Sequence, residues 1–257
     1  MEDKPSLEDT LSLMRDLRAR CDWDAAQTHE SLRPYLIEEA YEVDDAIRGG
    51  DDRLLREELG DLLLQILFHS VIAEERGAFT MHDIAAGFIT KMKARHPHLY
   101  EGGEKQNWEQ MKAKKRASIV DGLPADLPAL HRSFRLQDRA AGVGFDWPDV
   151  DGPIDKVEEE LREVREEVDI ARAAGSQPGT GVTNDRLEEE IGDLLFAVVN
   201  LSRKAGVHPA LALDKANVKF ARRFANVERM AAERGLKVGE ATLEQLDSIW
   251  DEVKKGE

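Results

Sequence analysis

LREELGDLLLQIL, residues 55–67, and LEEEIGDLLFAVV, residues 187–199, decide the fold, because they repeat one pattern in opposite halves of the chain. Each stretch places two acids, an apolar residue, a glycine, an aspartate and two leucines in the same order. An acidic segment precedes each of them, PYLIEEAYEVDDAIRGG at 34–50 and PIDKVEEELREVREEV at 153–168. The sequence therefore predicts an internal duplication, with two acidic segments in each half.

The spacing of apolar residues in all four segments is typical of amphipathic helices. Apolar residues recur every three or four positions, and convincing strand alternation is missing. Pro34 and Pro153 suit the first turns of two equivalent helices, and Gly49 and Gly50 suit the end of the first. We therefore predict an all-α fold made of two tandem helical bundle repeats.

A segment rich in proline and glycine, DGLPADLPAL, separates the two halves and lacks helical periodicity. We predict a first repeat at 1–120, a linker at 121–130 and a second repeat at 131–257. A second irregular stretch, 174–184, lies between the two acidic helices of the later repeat. We expect it to form a mobile loop that closes over a substrate.

Charge and composition narrow the class of protein. The chain has 36 Lys and Arg against 52 Asp and Glu, a net charge of −16, which argues against nucleic acid or a membrane surface as a partner. The sequence shows neither a recognisable targeting segment nor an apolar stretch long enough to span a bilayer, and Cys21 has no second thiol to pair with. We expect a cytoplasmic protein.

The apolar residues of each of the four predicted helices form a stripe along one face, and acids stand three and six residues after the first residue of that stripe. At about 100° per residue, they lie at the edge of the buried face and point toward the neighbouring helix. For a single helix, a solvated edge would explain such acids, but four identical placements favour a site. The two sets are Glu39, Glu42, Glu58 and Asp61 in the first half and Glu160, Glu163, Glu190 and Asp193 in the second.

Converging carboxylates repel each other unless a cation or a proton neutralises them. A set of acids without histidine or cysteine suits a hard divalent ion, so we predict Mg²⁺ as the cofactor, with Mn²⁺ as an alternative ion. Gly60 and Gly192 precede the last acid of each set, and a helical glycine is costly, so we expect a close approach of another group at these positions.

Basic residues suited to an anionic substrate also repeat between the halves. Lys219 and Arg223 share a helix face, as Lys91 and Arg95 do in the first half. Trp250 with Lys254, and Trp108 with Lys112, place an aromatic ring near a cation, a combination suited to a base and its phosphates, although a core tryptophan fits the pattern equally well. Glycine-rich phosphate loops of the GxxxxGK type and nucleophile elbows are missing.

Together these motifs resemble those of a known family. Glu159-Glu160-x-x-Glu163 followed by Glu190-x-x-Asp193 is similar to the EExxE and ExxD motifs of MazG-type nucleoside triphosphate pyrophosphohydrolases. The first half repeats this pattern. The resemblance extends to GFDW at 144–147, RHPH at 95–98 and KANVKFARRF at 215–224, so it covers nearly the whole chain.

The resemblance implies an all-α homodimer that uses Mg²⁺ to hydrolyse ribo- or deoxyribonucleoside triphosphates to the monophosphate and pyrophosphate, in nucleotide-pool housecleaning or stress regulation. It implies that the second repeat carries most of the catalysis. On chemical grounds, Glu159 is our candidate for the acid that orients or deprotonates the attacking water. The implied metal ligands are Glu160, Glu163, Glu190 and Asp193, with Glu39, Glu42, Glu58 and Asp61 as a candidate second set. The implied substrate-binding residues are Lys156, Glu159, Arg186, Glu189, Lys219, Arg223, Trp250 and Lys254.

Two other classes of protein stay open from the residues alone. A noncatalytic acidic helical scaffold would also repeat its acids. A ferritin-like di-metal carboxylate bundle expects a histidine three residues after a glutamate, whereas Glu163 and Asp193 occupy those positions here. Release of pyrophosphate from nucleotides with Mg²⁺ separates the enzyme from both.

Overall fold

The computed structural model describes residues 4–100, 102, 118–173 and 185–256. Trp108, Lys112 and the expected loop at 174–184 lie outside these residues. Throughout the described part the secondary structure is helical, without strands, which confirms the predicted all-α fold. In the same ranges, each helix is too short or too polar to cross a bilayer.

Contacts divide the chain into two compact units, Met1–Lys105 and Gln106–Glu257. The predicted linker at 121–130 stays a prediction, although turns occupy part of it and a helix begins at its end. The described helices of the first unit are α1 (Leu7–Arg20), α2 (Asp22–Ala26), α3 (Arg33–Gly49), α4 (Asp52–Glu75), α5 (Met81–Arg95) and α6 (Pro97–Tyr100).

Local sequence explains where the helices of the first unit begin and end. Pro34 lies in the first turn of α3, as predicted, and Gly50 closes that helix in a left-handed conformation with φ of 67°. Asp51 caps α4 by accepting hydrogen bonds from the backbone N–H groups of Arg53 and Leu54. The short link between α3 and α4 follows from these two adjacent caps.

The core of the first unit forms where α1 packs against the second part of α4. Trp23, from α2, meets the Phe68 ring edge-on, with 6.2 Å between ring centroids. Burial of these apolar side chains is the main stabilising contribution of the unit. The buried cluster consists of Leu11, Met14, Leu32, Leu67, Phe68, Val71 and Ile72.

The described helices of the second unit are α7 (Ala129–Gly142), α8 (Asp151–Ala173), α9 (Asp185–Lys204), α10 (Pro209–Glu233) and α11 (Leu243–Lys255). Here α8 packs along α9, as α3 packs along α4, and α10 packs against α11. Pro153 lies in the first turn of α8, as predicted. The tandem repeat of the whole bundle stays a prediction.

The apolar stripes are less buried than their pattern predicted. Ile47, Leu59 and Ile191 lie on predicted buried faces and are nevertheless exposed. Two helices cover only part of each other's apolar surface, so an exposed apolar strip remains on each pair. The expected close approach at Gly60 and Gly192 is wrong for the described part of the chain, where a Cβ at either position would meet no atom within 4 Å.

Candidate active site

An acidic cluster forms between α8 and α9 in the second unit. Carboxylate oxygens of Glu160, Glu190 and Asp193 all lie within 4.8 Å of one another. Glu163, the fourth predicted acid, is not among these three, but it lies close enough for their charges to affect its pKa. Burial, and then the charges of Glu160 and Glu190, raise the pKa of Glu163. The stripe-edge acids therefore converge as their spacing predicted.

Glu160 is the most deeply placed acid of the cluster, with 3% of its surface exposed. Its Oε1 lies 2.5 Å from the Lys156 ammonium nitrogen, whereas its buried Oε2 has no hydrogen-bond partner among the residues that the structure describes. Buried polar atoms are nearly always satisfied, so an orphaned carboxylate oxygen beside two more carboxylates fits a bound cation. The donor set is all oxygen, which suits a hard divalent ion.

Glu159 lies on the same turn of α8 and shares the lysine. Its Oε1 accepts a hydrogen bond from the Lys156 ammonium at 2.7 Å. This bond and the charge of Lys156 lower the pKa of the Glu159 carboxyl, while hydrogen bonds to both glutamates raise the pKa of Lys156. At neutral pH Glu159 is therefore an ionised hydrogen-bond acceptor, ready to receive an N–H or O–H donor.

The first unit holds a similar but less balanced cluster between α3 and α4. Oxygens of Glu39, Glu58 and Asp61 lie within 4.8 Å of one another. Burial, followed by the charges of Asp61 and Glu42, raises the pKa of Glu39. By alignment of the two EExxE motifs, Tyr35 stands where the second unit has Lys156. The lysine that balances the second cluster is thus replaced by a neutral side chain in the first.

The predicted basic and aromatic residues lie on a different helix pair. On α10 and α11, the Arg223 guanidinium carbon lies 5.9 Å from the Trp250 ring centroid. The ring centroid of Phe220 lies 5.4 Å from that of Trp250. Lys219 is exposed, and Lys254 forms an ion pair of 3.4 Å with Asp251. Whether this group joins the acidic cluster around one substrate stays a prediction.

Two further predicted substrate residues lie near the start of α9. Arg186 has an exposed side chain and lies 3.6 Å from Glu167 of α8, and Glu189 is exposed. The pair Arg186–Glu167 bridges the two helices that carry the acids. Both residues therefore stand on the same helix pair as the acidic cluster.

Sequence reasoning missed a polar network that fixes the GFDW segment onto α9. Asp146 accepts hydrogen bonds from Arg203 at 2.5 Å and from Lys204 at 3.1 Å, and Lys204 also donates to the Trp147 carbonyl oxygen. These partners are separated by 57 residues or more, so helical periodicity does not reveal them. The available signal was the pair of adjacent cations in the last turn of α9.

Sequence comparisons agree with this geometry. The profile of the MazG nucleotide pyrophosphohydrolase domain matches residues 27–100. A Thermotoga maritima protein named nucleoside triphosphate pyrophosphohydrolase/pyrophosphatase MazG is 43% identical, over 97% of this chain and 96% of its own length. An Escherichia coli K12 protein named nucleoside triphosphate pyrophosphohydrolase is 44% identical, over 95% of this chain and 94% of its own length. The chain therefore belongs to the MazG family of metal-dependent nucleotide pyrophosphohydrolases.

Proposed function

We propose that this chain hydrolyses nucleoside triphosphates to the monophosphate and pyrophosphate, using Mg²⁺, with Mn²⁺ as an alternative ion. The observation that carries the proposal is the cluster of Glu160, Glu190 and Asp193, where three carboxylates meet within 4.8 Å and the buried Glu160 Oε2 has no hydrogen-bond partner among the described residues. The names of the two relatives support the reaction type. Removal of damaged or excess nucleotides, or control of the pool under stress, is the role that this activity suits.

We assign the metal to the second unit, with Glu160, Glu163, Glu190 and Asp193 as the residues that hold it. A divalent ion supplies positive charge that polarises a phosphoryl group and lowers the pKa of water. The carboxylates repel one another without the ion, as the raised pKa of Glu163 indicates. Binding of the ion therefore relieves a repulsion that the fold itself creates.

We assign Glu159 to the attacking water. Lys156 keeps this carboxylate ionised and restricts its position, since it donates to Glu159 at 2.7 Å and lies 2.5 Å from Glu160. An ionised carboxylate accepts a hydrogen bond from water and orients one oxygen lone pair toward phosphorus. The lowered pKa favours orientation of the water over complete proton removal by Glu159.

We assign the cations of α10 and α11 to the phosphates that leave as pyrophosphate. Negative charge grows on the leaving group, and donors aimed at it stabilise the transition state. Lys219, Arg223 and Lys254 supply these donors, and the ring of Trp250 supports the Arg223 guanidinium. Arg186 and Glu189, near the start of α9, complete the substrate-binding set.

We also propose a homodimer that pairs like repeats. Leu161 on α8, Ile191 and Leu195 on α9, and Val218 on α10 are exposed apolar residues of the second unit. Contiguous apolar surface on helices of a globular protein usually marks an interface. A second copy of the same chain would cover such surface by a two-fold pairing.

A panel of ribo- and deoxyribonucleoside triphosphates tests the proposed reaction. Each is incubated with pure protein and Mg²⁺, and pyrophosphate and orthophosphate are measured separately. We expect pyrophosphate and the monophosphate as first products, with no turnover when a chelator removes the metal. Orthophosphate as the first product would overturn the proposed reaction, and the absence of any turnover would favour a noncatalytic scaffold.

A further inference from the structure

One ion pair joins the two helices that carry the second acidic cluster, and its acidic member has no part in the proposed reaction. Arg186 of α9 is assigned to the substrate, and Glu167 of α8 lies 3.6 Å from it. The two side chains differ in burial, since 12% of the Glu167 side chain and 78% of the Arg186 side chain are exposed. The carboxylate is therefore the fixed member of the pair, and the guanidinium is the member that reaches solvent.

Glu167 lies on the same face of α8 as the acids assigned to the metal. It follows Glu163 by four residues and Glu160 by seven, and these spacings place the three side chains in one row along the helix. At about 1.5 Å per residue, Glu167 stands about 6 Å beyond Glu163 along the helix axis. It is not one of the three acids whose oxygens meet within 4.8 Å. Glu167 is therefore a neighbour of the acidic cluster, one helical turn away.

Arg186 occupies the matching place on α9. It precedes Glu190 by four residues and Asp193 by seven, so it shares their face of the helix. Because α8 and α9 pack along each other, the contact between Glu167 and Arg186 lies at one end of the acidic cluster. A cation therefore stands one helical turn from the carboxylates, next to the place proposed for the triphosphate.

The ion pair leaves most hydrogen-bond donors of Arg186 available. A guanidinium carries five N–H groups in a planar fork, and the contact joins its Nη1 to Oε1 of Glu167. Among the described residues, Glu167 is the acid that pairs with this arginine. Arginine binds phosphate through two parallel N–H groups, which requires a defined direction of the guanidinium plane. Glu167 restricts that direction while it leaves donors for a phosphate.

Stability of the helix pair does not explain this ion pair. Ion pairs with an exposed member contribute little to the free energy of folding, and a nearly buried carboxylate is costly to keep. Alignment of the two EExxE motifs places Ala46 of the first unit at the position of Glu167, and alignment of the two GDLL motifs places Leu54 at that of Arg186. Ala46 is buried, and α3 packs along α4 with this apolar combination. Two such helices therefore pack without the charged pair.

From these observations we infer that Glu167 is a positioning residue, which holds the Arg186 guanidinium at the end of the acidic cluster so that its remaining N–H groups face the phosphates of the nucleotide. The inference rests on the proposed function, which assigns Arg186 to the substrate, and it adds the residue that orients this arginine. Glu167 itself contacts neither the substrate nor the metal. Its removal therefore weakens binding of the polyphosphate, because the arginine is no longer held in place, without changing the affinity for Mg²⁺.

Glu167→Gln tests this role by removing the charge at nearly constant size. We expect the KM for ATP to rise about fivefold, with kcat changed by less than about twofold and an unchanged Mg²⁺ concentration for half-maximal activity. Glu167→Asp, which keeps the charge on a shorter side chain, should recover part of the lost affinity. Glu166→Gln, at the exposed neighbouring acid, is the matched control and should leave KM unchanged. An unchanged KM in Glu167→Gln, or a changed Mg²⁺ requirement, would overturn the inference.

A double-mutant cycle with Arg186→Met decides whether Glu167 acts through the arginine. We expect Arg186→Met alone to raise the KM for ATP about tenfold, because a charged contact to phosphate is lost. Adding Glu167→Gln to this variant should cause no further rise, since the group that Glu167 orients is already gone. If the two effects multiply, Glu167 acts by another route and the inference is wrong.

Glu167→Ala with Arg186→Leu installs the apolar pair of the first unit and separates positioning from stability. We expect this variant to melt within about 3 °C of the wild type, because α3 and α4 pack with the same pair. Its KM for ATP should rise as in Arg186→Met. A much lower melting temperature would assign the ion pair to stability and contradict the positioning role.

Calorimetric titration with inorganic tripolyphosphate and Mg²⁺ separates this inference from the proposed function, because it requires no hydrolysis of a nucleotide. We expect Glu167→Gln to bind tripolyphosphate about fivefold more weakly than the wild type and Glu166→Gln to bind it equally well. If the wild type hydrolyses ATP but Glu167→Gln binds tripolyphosphate as the wild type does, the positioning role is wrong and the reaction stands.

The opposite result is equally clear. If no nucleotide is hydrolysed but Glu167→Gln still binds tripolyphosphate more weakly, the proposed reaction is wrong and the role of Glu167 stands. A wild-type protein that does not bind tripolyphosphate would overturn the inference.

Discussion

Lys156 and Glu160 form an ion pair of 2.5 Å at the margin of the second acidic cluster, and only one oxygen of the glutamate takes part in it. The other oxygen is buried, and no described residue offers it a hydrogen bond. The lysine therefore offsets part of the cost of burying the carboxylate while leaving an acceptor for a cation. This arrangement links the stability of the metal-free protein to the binding of a divalent ion.

Lys156→Met should destabilise the metal-free protein, because it leaves the buried Glu160 carboxylate without its cation. We expect the free energy of unfolding to fall by about 1–2 kcal/mol in urea titrations, with the lower figure favoured because Lys156 is partly exposed. Mg²⁺ should recover part of the loss. Lys237→Met, which breaks an exposed pair of 3.0 Å with Glu240, is the matched control and should change stability by less than about 0.5 kcal/mol. Equal changes in the free energy of unfolding would show that the Lys156–Glu160 pair stabilises the protein no more than an exposed pair does.

Glu163→Gln should stabilise the metal-free protein while it removes activity. The pKa of Glu163 is raised by burial and by its acidic neighbours, so folding favours its protonated form. Its contribution to stability is present below its unfolded pKa and is lost as pH rises through the folded pKa, which makes the ionised form unfavourable at neutral pH. We expect the variant to have a higher Tm than the wild type at pH 7 without metal, and the difference to shrink toward pH 4. Turnover with Mg²⁺ should fall by orders of magnitude. Nearly normal turnover in this variant would show that Glu163 is not part of the catalytic site.

Asp146→Asn tests the network that fixes the GFDW segment. Burial raises the pKa of Asp146, but hydrogen bonds from Arg203 and Lys204 outweigh that effect and lower it overall. A lowered pKa gives stability that is present above the unfolded pKa and is lost as pH falls through the folded value. We expect the variant to be about 1–2 kcal/mol less stable at pH 7, with the difference shrinking only as the pH falls below the ordinary pKa of an aspartate toward the lowered folded value. Asp169→Asn, in an exposed pair of 3.4 Å with Arg172, serves as the control. A difference that is independent of pH would contradict the ionic origin.

Light scattering tests the proposed homodimer. We expect a mass of twice 28.9 kDa at micromolar concentration. A charged residue in the exposed apolar strip, Ile191→Asp with Leu195→Asp, should lower the mass to that of one chain, whereas Leu7→Asp, at another exposed leucine, should not. A fully active protein with the mass of a single chain would contradict the dimer.

Much of the helical architecture follows from local sequence. Pro34, Gly50 and Pro153 act within one turn of their own positions, so their effects on helix ends are predictable. The acids converge because their spacing along each helix sets their direction, and one packing contact between two helices is then enough to bring them together. That is why Glu160, Glu190 and Asp193 meet where the pattern placed them.

Other features depend on contacts between distant residues and escaped prediction. The exposure of Ile191 depends on how much surface the neighbouring helices cover, which periodicity does not report. Gln137 donates a hydrogen bond to the carbonyl oxygen of Phe196 across 59 residues of sequence, and the packing of α7 on α9 creates that contact. The glycines at 60 and 192 predicted a close approach, but among the described residues no atom lies within 4 Å of a Cβ at either position.

One matched pair of double variants tests the central claim, that the second acidic cluster is the site of nucleoside triphosphate hydrolysis. Glu160→Gln with Glu163→Gln is compared with Glu39→Gln with Glu42→Gln, in folded proteins verified by circular dichroism, and pyrophosphate release is measured with Mg²⁺. We expect the change in the second cluster to abolish nearly all release and the change in the first cluster to keep most of it, because Lys156 stands beside the second cluster and Tyr35 takes its place in the first. Loss of activity on changing Glu39 and Glu42, with retention on changing Glu160 and Glu163, would contradict this account.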